Sequence, residues 1–103
     1  MSELPHNWRT PPLRDLLETI VGLRDIAEAE RFFRDLCTRA ELETMAHRWE
    51  VAKLLDEGLT YLQVAEQAHA STATVTRVAQ WLRHGEGGYR LAIERRKRRT
   101  QTA

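Results

Sequence analysis

An all-α fold of five to six short helices is what this 103-residue chain predicts, and three observations carry that prediction. Apolar residues recur at three- and four-residue spacing in one segment after another, and no stretch alternates apolar and polar at the period of a strand. Three segments open on a hydroxyl or carboxylate residue followed three positions later by Glu or Gln. That is the pattern of a capping box, in which each side chain meets the other's free backbone N–H. Hydrophobic residues form 42% of the chain and charged residues 30%, so there is material for one buried core and no disordered or fibrous signature.

Residues 1–12 hold all three prolines, Pro5, Pro11 and Pro12, and are expected to form an extended arm. Proline fixes φ and lacks an N–H, so it suits only a first helical turn. A helix is expected after Pro12, with Leu13, Leu16, Leu17 and Ile20 as its stripe and a stop near Gly22. Asp25 and Glu28 introduce a second helix, striped by Ile26, Ala29, Phe33 and Leu36. The single cysteine, Cys37, has no internal disulfide partner and reads as a small buried thiol. Thr38 and Glu41 introduce the longest helix, about Arg39 to Glu57, striped by Leu42, Met45, Ala46, Trp49, Ala52 and Leu55. Gly58 is placed to end it with a positive φ.

Thr60 and Gln63 cap a helix from Tyr61 to Gln67, whose apolar residues are Leu62, Val64 and Ala65. Ser71 caps the next, with Val75, Val78, Ala79 and Leu82 on its inner side. Two short amphipathic helices joined by so brief a turn, over residues 60–83, have the form of a helix-turn-helix, whose second helix enters a DNA groove. His69 stands where the turn goes left-handed and glycine is usual; His is among the residues that tolerate that conformation. The outer face of the second helix carries Thr72, Ala73, Thr76, Gln80 and Arg83, short side chains first and long ones later, as an approach to base edges and backbone requires. Thr74 and Tyr61 complete the expected DNA-binding set. For Thr74 and Thr76 the alternative is a hydroxyl that bonds its own helix. Gly85, Gly87 and Gly88 read as a flexible joint, followed by a last helix from Tyr89 to Arg99 that is amphipathic at its start and basic at its end.

The chain thus divides into an N-terminal arm, 1–12, a helical domain, 13–94, and a basic tail, 95–103. Charge follows a similar division: residues 1–70 carry eight Arg/Lys against thirteen Asp/Glu, a net of −5, and residues 71–103 carry eight against two, a net of +6. The positive field coincides with the candidate reading helix and the Arg95–Arg99 run after it, as a polyanionic partner requires; a solubilising tail is the other reading of that run. No apolar run approaches the roughly 18 residues of a membrane span, and the N-terminus has no signal-peptide pattern, so the protein is expected to be cytoplasmic and without a membrane partner. Glu41, Glu43 and Glu50 have no partner nucleophile, and His6, His47, His69 and His84 have no metal-ligand spacing. No catalytic residue, metal or cofactor is expected, and His47 reads as a helix-surface residue.

The segment RAELETMAHRWEVAKLLDEGLTYLQVAEQAHASTATVTRVAQWLRHGEGGYRLA resembles the Trp-repressor-like family, most closely its YerC/YecD-type branch, through RWEVAKLLDEGLTY, STATVTRVAQWL and HGEGGY, over roughly residues 30–93. The resemblance implies an intertwined homodimer whose two helix-turn-helix units reach adjacent major grooves. It also implies positions for a ligand pocket: Arg48 and Arg77 match two arginines that sandwich an indole, and Thr38 matches the threonine before the long helix. Val78 and Trp81 replace small residues that make room for the ring. With Arg77 and Trp81 four apart, the indole is expected to lie against the guanidinium and to take the ligand's place, so no free tryptophan is needed. Ala65 and Leu62 replace the family's lysine and arginine on the first helix of the pair. The expectation is a sequence-specific, homodimeric, double-stranded-DNA-binding regulator, most simply a repressor. A helical interaction adaptor, or a repressor gated by another small ligand, stays open beside it.

Overall fold

The computed structural model describes residues 8–102, which form six helices and, among those residues, no strand. They are α1 (Pro11–Val21), α2 (Ile26–Leu36), α3 (Arg39–Asp56), α4 (Tyr61–Ala68), α5 (Thr72–His84) and α6 (Gly88–Thr102). Residues 1–7 of the expected arm and the last residue of the tail lie outside the described residues. The chain divides into two compact units, residues 1–39 and 40–103, so the boundary falls at the first residue of α3.

The first unit contains α1 and α2. Helix α1 begins at Pro11, two residues earlier than expected. Thr10 is its N-cap, accepting from the Leu13 N–H, and both prolines occupy the first turn, where no N–H is needed. At α2 Asp25 accepts from the Glu28 N–H as expected, but the Glu28 carboxylate reaches back one residue further, to the Arg24 N–H at 3.0 Å. Neither helix buries a side chain. Val21 and Ile26 are 84% and 77% exposed, and Cys37, the C-cap of α2, is half-buried, not buried as expected, because no other helix of the unit closes over it.

The second unit holds the core. Val51, Ala52 and Leu54 of α3, Val64 of α4, and Val75 and Val78 of α5 form one buried cluster, flanked by Trp49, Leu55, Leu59, Tyr61 and Tyr89. Each fully buried valine contributes about 1.5–3 kcal/mol relative to exposure. On α5 the expected inner residues Val75, Val78 and Ala79 are buried and Leu82 is half-buried, whereas on α3 the expected Ala52 is buried but the other buried residues are Val51 and Leu54. The expected stripe residues Met45 and Ala46, in the first half of α3, remain exposed. Within this unit α4 and α5 cover mainly the second half of α3. Trp49 stacks on Tyr89 at 6.4 Å between ring centroids, with the Lys53 ammonium on its ring, which fastens α6 to α3. None of the described helices is long and apolar enough to cross a membrane.

Candidate nucleic-acid interface

The turn between α4 and α5 is held by local chemistry. Thr60 accepts from the Gln63 N–H at 3.1 Å while the Gln63 side chain accepts from the Thr60 N–H at 2.9 Å, a complete capping box at the start of α4. At its other end His69 is left-handed, with φ 54° and ψ 45°, and the Ala70 N–H reaches back to the Ala65 carbonyl at 2.9 Å. This is the closure that normally selects glycine. Ser71 then caps α5 by accepting from the Thr74 N–H, and its hydroxyl donates to the Thr74 hydroxyl at 3.0 Å.

A further contact fixes this turn from outside it. His47 Nε2 lies 2.7 Å from the Ala68 carbonyl oxygen, so the ring donates to one of the carbonyls that the end of α4 leaves without a helical partner. The histidine is half-buried, not the simple surface residue expected, and it ties α3 to the turn. Its signal was absent from the sequence because its partner is a backbone atom.

On the outer face of α5, Thr72, Ala73, Thr76, Arg77, Gln80 and Arg83 are all exposed, directly above the buried Val75, Val78 and Ala79. Helix geometry thus separates two rows, one buried and one presented. Thr74 belongs to neither: it is half-buried and engaged by Ser71. Tyr61 is half-buried against the core, and the Arg83 guanidinium lies 5.8 Å from its ring centroid, joining the start of α4 to the end of α5.

A groove of about 890 Å³ opens between α3, α5 and the start of α6, lined by His47, Arg48, Arg77, Val78, Trp81 and Tyr89 among others. Four of the five expected ligand-pocket positions meet there. Thr38 is exposed and belongs to the first unit. The expected packing of Arg77 on Trp81 is not found: among the described residues cations lie over Trp8, Trp49 and Tyr61, not over Trp81. The Trp81 ring turns the other way along the helix, with Cε3 3.3 Å from where a Cβ of Gly85 would stand. That Cβ would also collide with the Trp81 carbonyl oxygen, so Gly85 is a close-approach position and not a flexible joint. Burial raises the Tyr89 phenol above its ordinary pKa, an effect that the nearby Arg48 charge reduces.

No group of three or more metal-ligating side chains gathers among the described residues. The basic run continues α6 as helix through Thr102, and Lys97 Nζ meets Asp56 Oδ2 at 2.8 Å, at the end of α3.

Comparison with known proteins agrees with this architecture. The family model for the Trp repressor protein matches residues 12–97. The uncharacterised protein YerC of Bacillus subtilis is 43% identical over 89 residues, covering 86% of each chain. Among solved structures, a TrpR-like protein from Eubacterium eligens superposes with a TM-score of 0.83 at 42% identity, covering 88% of this chain and 94% of that one. A candidate Trp repressor from Staphylococcus aureus superposes with a TM-score of 0.85 at 33% identity, covering 93% and 96%.

Proposed function

Since the chain belongs to the Trp repressor family, we propose that it is a sequence-specific, DNA-binding transcriptional repressor that reads the major groove as a homodimer. The observation that carries this reading is the row Thr72, Ala73, Thr76 and Gln80, presented on α5 above a buried valine core and flanked by Arg77 and Arg83. A rigid helix with small residues at its N-terminal end approaches base edges, and the arginines reach phosphates. Dimerisation is supported by what the single chain leaves uncovered: the apolar faces of α1 and α2, and Met45 in the first half of α3. Selection of bound sequences from random duplex DNA tests the proposal. A pseudo-palindrome with half-sites about 10–10.5 base pairs apart is expected. Recovery of no enriched sequence would leave a helical adaptor as the better reading.

The same proposal assigns the groove a built-in indole. Trp81 lines it with Arg48, Arg77 and Val78; although its ring lies towards Gly85 and not on Arg77, its bulk takes up room in the groove, so the repressor is active without free tryptophan. Calorimetric titration with tryptophan is expected to give no saturable heat. Micromolar binding would sink this part of the reading and make the groove a corepressor site.

A further inference from the structure

We propose that the basic end of α6 is a second, sequence-independent surface for the phosphates of duplex DNA, held against the end of α3 by the Lys97–Asp56 ion pair. The inference rests on the DNA-binding reading above and extends it to a region outside the helix-turn-helix.

Arg95, Arg96, Lys97, Arg98 and Arg99 are consecutive and all exposed on a continuous helix. At 3.6 residues per turn, five consecutive positions surround the helix, so this segment has no apolar stripe by which packing could hold it. It is held by charge. Lys97 pairs with Asp56 at 2.8 Å, and Asp56 also lines a small cavity of about 260 Å³ with Tyr61, Arg83 and Arg90. Arg83 at the end of α5 and Arg90 on α6 thus line the same cavity as the carboxylate that holds Lys97. The pair also raises the Lys97 pKa, chiefly through the hydrogen bond to Asp56.

The geometry makes this a track and not a loose tail. From Arg90 to Arg99 the helix rises about 14 Å, at about 1.5 Å per residue, which matches the axial rise of about four base pairs. Arg83 joins that track to the exposed face of α5. Duplex DNA fits better than an anionic membrane, because residues 94–102 contain no large apolar side chain to enter a lipid surface. A helix that binds phosphates through exposed arginines carries no base readout, so it adds affinity to every sequence alike.

The test compares the full-length protein with the Arg95→Gln/Arg96→Gln/Arg98→Gln/Arg99→Gln variant, on the selected operator and on random duplex, from 50 to 200 mM salt. Each lost phosphate contact flattens the plot of log K against log salt by about 0.9, so a loss of about two units or more is expected, equal on both DNAs. Their affinity ratio should stay the same. Trimming the duplex beyond the half-sites should weaken the wild type and leave the variant unaffected. Asp56→Asn supplies the sharper arm: removal of an acid near DNA should strengthen binding by charge alone, whereas release of the pinned helix weakens it. Weaker binding by Asp56→Asn supports the proposal, and stronger binding with an unchanged quadruple-variant slope overturns it. Binding of vesicles rich in anionic lipid, lost in the quadruple variant while its DNA slope is unchanged, would also overturn it, assigning the run to membranes. If the wild type selects an operator and only these arms fail, the second surface is wrong and the helix-turn-helix reading stands. If the wild type binds no duplex at all, both fall.

Discussion

The two compact units use similar helical patterning to different ends. In residues 40–103, apolar positions at helical spacing find one another: Val51, Val64 and Val75 are fully buried, and every helix end of the turn between α4 and α5 has a cap. In residues 1–39, the same kind of spacing gives two well-capped amphipathic helices that bury no side chain. The difference teaches that a capped, striped helix is a statement about periodicity and not about what covers it. The first unit requires a surface that it does not contain, and the proposed second copy of the chain is a surface of the right kind, because an isologous interface places the same exposed stripes opposite one another.

Opposite substitutions in the two units break or sharpen this comparison. Val75→Asp places a carboxylate in the valine core with no partner and is expected to cost at least about 4 kcal/mol, abolishing cooperative unfolding. Val21→Asp, at a position 84% exposed, would cost a monomer less than about 0.5 kcal/mol. If a second copy covers it, the same substitution dissociates the dimer while leaving the second unit folded. Thermal unfolding together with sedimentation reads both effects. A Val21→Asp protein that remains fully dimeric would remove Val21 from the interface and leave the exposure of α1 without its proposed explanation.

His47→Ala is expected to have an intermediate effect. It leaves the Ala68 carbonyl without its side-chain donor and detaches α3 from the turn, at about 1 kcal/mol, or about 4–8 °C in melting temperature for a domain of this size. DNA affinity should fall further than stability, because the turn sets the angle of α5. A variant that melts earlier but binds the operator as before would make the contact structural only.

What the sequence disclosed divides along the same line of local against distant. The Thr60–Gln63 box, the left-handed His69 and the Ser71 cap were legible because each device lies within a few residues and involves side chains with distinctive chemistry. The α5 stripe was legible because all its buried residues share one period. His47 was not, since its partner is a carbonyl 21 residues away, which any residue would present. Lys97–Asp56 was hidden differently: the run around Lys97 reads as uniform charge, and only the fold selects one member of it for pairing. The expected Arg77–Trp81 contact used correct spacing but not direction: the indole lies beside Gly85, where a Cβ would crowd it. On α3, apolar residues occur on more than one face, so periodicity alone could not say that Val51 and Leu54 would be the buried ones.

The smallest effect expected is at His69. Its φ of 54° is a conformation in which a Cβ meets the neighbouring carbonyl oxygen, a cost of about 1–2 kcal/mol that glycine avoids. Glycine in turn gives the unfolded chain more freedom, which returns about 0.4–1 kcal/mol of that gain. His69→Gly should therefore stabilise the protein by roughly 0.5 kcal/mol, and His69→Val, with a branched Cβ in the same conformation, should destabilise it. Because the side chain is exposed at the turn between the two helices of the motif, stability and DNA affinity need not move together. A glycine variant that gains stability and keeps its affinity makes His69 a tolerated occupant of a glycine position. One that gains stability but binds the operator more weakly makes the imidazole a DNA contact, and extends the interface from α5 back into the turn.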